Sequence, residues 1–253
     1  MKVLFLGNNR VGRDILTWLL EQTADEVMGV VLHSEQRRKH GEEMCKLAHL
    51  HQIPVISGNN LNQPEVIEQI RELKAEIAVS AFFGYIIREP LLSMFPEEII
   101  NIHPGYLPYN RGACPNVWSI VDQTPAGVTM HYIDEGVDTG DLIARQIVPV
   151  EPDDTGATLY ARLEEASVQL FRQTWPRISR REAERIPQSG SSTTHRMSEL
   201  AQIDRIDPDQ MYRAEDLINI LRARTFPPYQ GAYLELQGKR VYLRLELETE
   251  SSE

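Results

Sequence analysis

The chain has little cysteine, no long apolar run and a deficit of positive charge. Only Cys45 and Cys114 occur among its 253 residues, with no CxxC pair that would hold zinc or cycle as a dithiol. Disulfides are not expected. No stretch approaches the roughly 18–20 consecutive apolar residues that span a bilayer, and the sequence opens on strand-like residues 2–6 rather than on a signal peptide. A cytoplasmic location with no membrane partner is therefore expected. Lys and Arg number 26 against 37 Asp and Glu, a net charge of −11. Nucleic-acid affinity draws on Lys and Arg neutralising phosphates, so this balance disfavours a nucleic-acid partner. The basic run Arg37-Arg38-Lys39-His40 reads as a solvated face. A dinucleotide fingerprint is missing as well: Gly7 and Gly12 follow the first strand without G-x-G-x-x-G spacing, which argues against a nicotinamide cofactor. His49 and His51 sit two apart in a helical stretch and face different sides, so no metal is expected there or elsewhere.

Short Val- and Ile-rich runs alternate with amphipathic stretches up to about residue 150, the pattern of βα units feeding a largely parallel sheet. Strands are expected at residues 3–6, 27–32, 54–56, 77–83, 99–102, 128–133 and 142–150. Helices are expected after Gly12, at 42–51, at 64–73 with Pro64 in its first turn, and at 158–175. From 187 to 194 the composition shifts to Gln, Ser, Gly and Thr, which marks a linker. Residues 187–253 then read as a small α+β unit. It has a helix at 215–223 and a hairpin of strands 233–236 and 241–247 joined at Gln237-Gly238. The expected architecture is α/β, a Rossmann-like sheet over 1–186 with a small β-rich C-terminal unit over 187–253.

The fifth apolar run ends in Asn101-Ile-His103-Pro-Gly. Side chains alternate along a strand, so Asn101 and His103 share one face, at the carboxyl end where open α/β sheets bind ligands. Asp138-Thr-Gly follows 35 residues after His103. These three residue types suit acyl transfer to an amine. A carboxamide stabilises a tetrahedral oxyanion, an imidazole accepts the amine's proton near neutral pH, and a carboxylate orients that imidazole. Cys114 lies in the following loop, but no base is dedicated to it.

Asn101-Ile-His-Pro-Gly-Tyr-Leu-Pro108 together with Gly127-Val-Thr-Met-His-Tyr-Ile-Asp-Glu-Gly-Val-Asp138-Thr-Gly-Asp141 resembles the N10-formyltetrahydrofolate-dependent formyltransferases over about residues 1–180. The resemblance implies a catalytic triad of Asn101, His103 and Asp138. It also implies folate-binding walls at Phe82, Gly84, Tyr85 and Ile86 and at Tyr132, Asp134 and Gly136. The intervening Tyr109-Asn110-Arg111-Gly-Ala-Cys-Pro-Asn116-Val-Trp118 looks like the sugar N-formyltransferase branch, which acts on nucleotide-linked amino-deoxysugars such as dTDP-4-amino-4,6-dideoxyglucose for surface polysaccharide. That likeness adds Tyr109, Asn110, Arg111, Asn116 and Trp118, and in the C-terminal unit Arg224, Phe226 and Tyr229, as candidate substrate contacts. Asn9 and Arg10, at the first βα turn, join them as possible holders of an anion or polar ligand. The expected co-substrate is N10-formyltetrahydrofolate, and a homodimer is expected because a small C-terminal unit buries little alone. A methionyl-tRNA formyltransferase is the alternative, disfavoured by the short C-terminal unit and the acidic charge. A non-catalytic folate or nucleotide-sugar binder is a third reading, and the purine-pathway branch lacks the Asn-Arg-Gly segment.

Overall fold

The computed structural model describes residues 1–249. In chain order its elements are β1 (Lys2–Gly7), α1 (Asn9–Gln22), β2 (Glu26–Leu32), α2 (Gly41–Leu50), β3 (Val55–Ser57), α3 (Pro64–Glu72), β4 (Ile77–Ala81), β5 (Ile99–His103), β6 (Arg111–Gly112), α4 (Pro115–Val121), β7 (Gly127–Tyr132), β8 (Leu142–Ile147), α5 (Gly156–Ser179), β9 (Thr194–His195), α6 (Leu200–Asp204), α7 (Ala214–Ala223), β10 (Tyr233–Leu236) and β11 (Lys239–Tyr242). Two compact units form. One comprises Met1–His103, Thr129–Arg145 and Ser167–Gln188; the other comprises Pro104–Val128, Gln146–Ala166 and the chain from Ser189. The division expected at residue 186 is thus only the last of several, because the segments after β5 and β8 cluster with the C-terminal part.

The first unit is built on a sheet of order β3-β2-β1-β4-β5-β7-β8. β1 pairs in parallel with β2 and β4, β2 with β3, and β4 with β5, whereas β7 returns antiparallel to β5. This is the largely parallel α/β sheet that the alternating pattern predicts. Its strands are covered on both faces, which is why they read as unbroken apolar runs; β4 is buried from end to end. Leu4, Leu6, Ala78, Ile70, Phe95 and Ile99 belong to one core cluster. Elsewhere in the unit Phe171 packs edge-on to Trp18 at 5.9 Å and stacks on Trp175 at 5.2 Å, and the Trp175 indole N–H donates to Asp25 at 2.7 Å. Strand order reverses between β1 and β4, the position where such sheets open a ligand crevice. α1 approaches there closely: a Cβ on Gly12 would stand 3.2 Å from the Gly7 carbonyl carbon and 3.4 Å from the Ala81 oxygen.

Several element boundaries differ from expectation for local reasons. β8 stops at Ile147 instead of 150, since Val148 N–H turns to the Ala126 carbonyl (3.0 Å) and Pro149 has no donor. α5 continues through Pro176 to Ser179, past the expected end at 175.

In the second unit the hairpin's second strand is Lys239–Tyr242, not 241–247. Gln237 and Gly238 both have positive φ (51° and 73°), which closes a two-residue turn and pairs Leu236 directly with Lys239. The pairing then ends at Tyr233–Tyr242 because β10 begins there. Residues 115–121, to which the sequence pattern assigns no helix, form α4, a single buried helix started by Pro115. The expected linker is pinned over its second half: β9 pairs with β6, and Thr193 Oγ1 accepts from Asn110 N–H at 2.7 Å.

Candidate functional site

Asn101 and His103 lie at the end of β5, and β7 brings a third polar residue beside them. The antiparallel register sets Asn101 opposite His131. His131 is 2 % exposed, and its Nδ1 lies 2.7 Å from the Tyr132 carbonyl. A carbonyl only accepts, so Nδ1 donates to it and Nε2 is the ring nitrogen that faces the Asn101 amide. Asn101 Nδ2 stands 3.1 Å from that Nε2 and donates to it. On its other side Asn101 Oδ1 accepts from Ser80 Oγ at 2.8 Å. The amide is therefore oriented by two neighbours, and one Nδ2 hydrogen is left for an incoming oxygen.

His103 is 5 % exposed. Its Nδ1 lies 3.5 Å from Asp138 Oδ2, and His131 Nε2 lies 3.4 Å from Asp138 Oδ1, so one carboxylate faces both imidazoles. Asp138 sits at φ 53°, the left-handed region that side chains rarely occupy. Its loop is shaped from within by Asp134, whose Oδ1 accepts from Gly136 N–H (3.0 Å) and Thr139 Oγ1 (2.6 Å). Gly140 of the Asp-Thr-Gly motif has no room for a side chain, because a Cβ there would collide with the Tyr132 carbonyl. The structure thus gathers Asn101, His103 and Asp138, with His131 completing the cluster. His131 escaped the sequence reading: the register that gives it meaning is a pairing between strands far apart in the chain.

Residues 1–174 match the formyl transferase family. The chain belongs to that family. Residues 199–249 match a further family described as the N-formyltransferase dimerization C-terminal domain. Among formyl transferases, the methionyl-tRNA formyltransferase of Symbiobacterium thermophilum is 33% identical over 239 residues, covering 92% of this chain and 72% of the relative. A solved 4-N formyltransferase from Francisella tularensis is 27% identical, covers 98% of each chain and superposes with a TM-score of 0.81. The formyltransferase PseJ from Anoxybacillus kamchatkensis, solved with UDP-4,6-dideoxy-4-formamido-L-AltNAc and tetrahydrofolate, is 28% identical with a TM-score of 0.58. That match covers 80% of this chain and 89% of the other.

The remaining candidates of this formyl transferase divide by exposure. Along the first expected wall Phe82 and Tyr85 are half-buried, Gly84 is exposed and Ile86 is 64% exposed. Gly84 N–H donates to His33 Nε2 at 3.0 Å, and the His33 ring packs on Phe83 (5.0 Å) and Tyr85 (4.5 Å). In the second wall Tyr132 carries the Arg185 guanidinium over its ring at 4.1 Å, while Val137 is 53% exposed. Asn9 turns its Oδ1 onto Val11 N–H (2.8 Å), serving its own helix start, and Arg10 follows half-buried in α1.

The expected sugar contacts fall in the second unit. Asn110 is fully buried, and its Nδ2 donates to Ser119 Oγ and Thr124 Oγ1. Asn116, on α4, donates to the Gly156 carbonyl at 2.9 Å. Trp118 is 6% exposed and stacks on His195 at 4.1 Å, the two rings 7° apart. Arg224 pairs with Asp204. Tyr109 and Arg111 are half-buried, and Tyr229 is 52% exposed beside Phe226, which also meets Tyr160. Burial pushes the Cys114 thiol up, against the thiolate a nucleophile needs. Among the described residues no group of three or more His, Cys, Asp or Glu could hold a metal, and no helix is long and apolar enough to cross a membrane.

Proposed function

We propose that the chain moves the formyl group of N10-formyltetrahydrofolate to the amino group of a nucleotide-linked amino-deoxysugar, most specifically dTDP-4-amino-4,6-dideoxyglucose. The chemistry rests on one observation, the Asn101–His131–Asp138–His103 cluster at the end of β5 and β7. The folate carrier supplies an activated one-carbon acyl group. Asn101 directs its uncommitted Nδ2 hydrogen at the formyl oxygen, which becomes negative when the amine adds to the carbon. His103 takes the proton that the amine sheds and returns it to the departing N10 nitrogen, so that the new C–N bond forms as the old one breaks. Asp138 steadies the imidazolium while it exists. His131 and Ser80 hold the Asn101 amide in register. For the carrier, residues 82–86 and 132–138 offer main-chain groups, and Ile86 and Val137 on the same two segments expose apolar surface of the kind a pterin face covers.

The acceptor rests on a different support. The likeness to a 4-N formyltransferase runs the length of both chains, and PseJ, at similar identity, was solved with a 4-formamido nucleotide sugar. The net charge of −11 also favours a small acceptor over tRNA. Arg10, Tyr109, Arg111, Phe226 and Tyr229 remain candidates for the sugar nucleotide, whereas the buried, internally bonded Asn110 and Asn116 are assigned to holding the fold. The names of the curated relatives favour the second reading, methionyl-tRNA as acceptor. Incubation with N10-formyltetrahydrofolate and a panel of dTDP- and UDP-linked amino sugars, methionyl-tRNA and glycinamide ribonucleotide, read by mass spectrometry, separates the two. Formylation of the tRNA with no sugar product would overturn the sugar assignment.

Residues 1–186 are proposed to carry the transfer and 187–253 to serve a homodimer. The dimerization-domain match and the exposed Leu236 and Val241 on the hairpin support that assembly, which light scattering tests. The proposed setting is cytoplasmic supply of a formylated sugar for lipopolysaccharide O-antigen.

A further inference from the structure

The segment that leaves α5 runs beside the loop carrying Asp138 and is bonded to it at successive points. Leu142 and Ile186 exchange both main-chain hydrogen bonds, at 2.8 and 3.0 Å. Arg185 lies over Tyr132, donates to Asp141 Oδ2 at 3.2 Å and pairs with Glu98 at 2.6 Å. One step further, Gln188 Nε2 lies 2.9 Å from the Asp138 carbonyl and 2.8 Å from the Gly140 carbonyl. A primary amide has two N–H groups, and here one nitrogen spans two carbonyls that stand two residues apart on the same side of the loop.

We infer that Gln188 is a positioning residue for the transfer, holding the Asp138 carboxylate against His103 and His131 by clamping the main chain on either side of Thr139. The inference rests on the formyl-transfer reading above. Asp138 adopts φ 53°, a left-handed conformation that a side-chain-bearing residue keeps only where neighbours over-determine it. From within the loop Asp134 braces residues 136 and 139; from outside, Gln188 braces 138 and 140. The carboxylate has small tolerance. Its Oδ2 stands 3.5 Å from His103 Nδ1, at the outer limit of a hydrogen bond, so an ångström of drift would detach it from that ring. Through these two bonds Gln188 acts on the backbone at Asp138 and Gly140.

Gln188→Leu keeps the size and removes both donors; Gln188→Glu keeps the shape and sets carboxylate oxygens against the two carbonyls. With the full chain, both variants are expected to lower kcat roughly 10- to 100-fold, the scale of a 1 Å misplacement, with KM for folate and for the amine changed less than about twofold. The 15N signals of the His103 and His131 side chains are expected to move in both variants. Those signals need no turnover, so they test the clamp even if no formyl acceptor is found, an outcome that would instead sink the formyl-transfer reading. If the imidazole signals stay in place and kcat holds within twofold, Gln188 merely satisfies two loop carbonyls. A rise in KM alone, or a fall in thermal midpoint with kcat intact, overturns the inference equally. Should the Leu variant fail to fold, the Glu variant carries the same readings.

Discussion

In the first compact unit a polar chain runs from the buried Ser80 through the half-buried Asn101 to His131 and meets Asp138 and His103, with an amide hydrogen uncommitted at its centre. In the second, Asn110 and Asn116 are more deeply buried than the half-buried Asn101, and their amides end on Ser119, Thr124 and the Gly156 carbonyl. Arg222 likewise spends Nη1 on the carbonyls of Glu151, Pro152 and Asp154. The difference separates the polar groups proposed to meet a ligand from polar groups that replace water inside the fold. Residue type does not distinguish them, since both units use asparagine. What distinguishes them is whether a donor remains after the internal partners are counted.

The hardest test of this contrast is His103→Ala. Loss of a general base is expected to lower the transfer rate by about 10²–10⁴-fold, measured as single-turnover formylation, with nucleotide-sugar binding by calorimetry nearly unchanged. Full turnover in the variant would remove His103 from the chemistry. Asn101→Ala is expected to cost about 10²–10³-fold in kcat through the lost oxyanion donor. The variant also deprives the buried Ser80 and His131 of their amide partner, so some stability is lost too and the rate is read on fully folded protein.

Asn110→Leu is expected to behave the other way round. Its amide's partners are left buried without a donor, so unfolding free energy should fall by about 1–3 kcal/mol, while kcat of the folded protein stays within twofold. A large rise in KM for the sugar nucleotide with unchanged stability would return Asn110 to the substrate site and break the contrast.

Much of the first unit was legible along the chain, and the reason is periodicity. Strands buried on both faces, such as residues 77–81, announce themselves as unbroken apolar runs, and alternation along residues 99–103 sets Asn101 and His103 on one face. Asp138 was legible through its Gly140, which the Tyr132 carbonyl allows no side chain. His131 and Gln188 were not. Each has its role from a neighbour distant in sequence, Asn101 across an antiparallel pairing and the Asp138 loop across the exit of α5. No local pattern encodes such a neighbour, and the polar composition around Gln188 reads as linker. α4 was missed for another reason: seven residues give barely two helical turns, too short for a 3.6-residue period to register.

His33 allows a finer comparison, between a histidine kept neutral by the fold and those that face carboxylates. Burial lowers its pKa from 6.5, outweighing a main-chain hydrogen bond with Arg37 that acts in the opposite sense. The native ring must offer a bare Nε2 to Gly84 N–H, which protonation would remove. Because the folded pKa lies below the unfolded one, the unfolded chain binds more protons between the two, and stability rises with pH across that window. On acidification the His33 contribution therefore starts to fall near pH 6.5 and levels off once the native ring is itself protonated. The window opens well above the range where carboxylates titrate. Urea unfolding followed from pH 7.5 downward should show a slope in this range that His33→Gln flattens, since a glutamine does not titrate. The effect is expected to be the smallest of the set, yet it reports on the wall at Gly84 and Tyr85. If that wall binds the folate carrier, KM for the carrier should rise only at the acid end of this interval, where the native ring itself takes a proton, in the parent and not in the variant; a parallel rise in both would detach His33 from the carrier site.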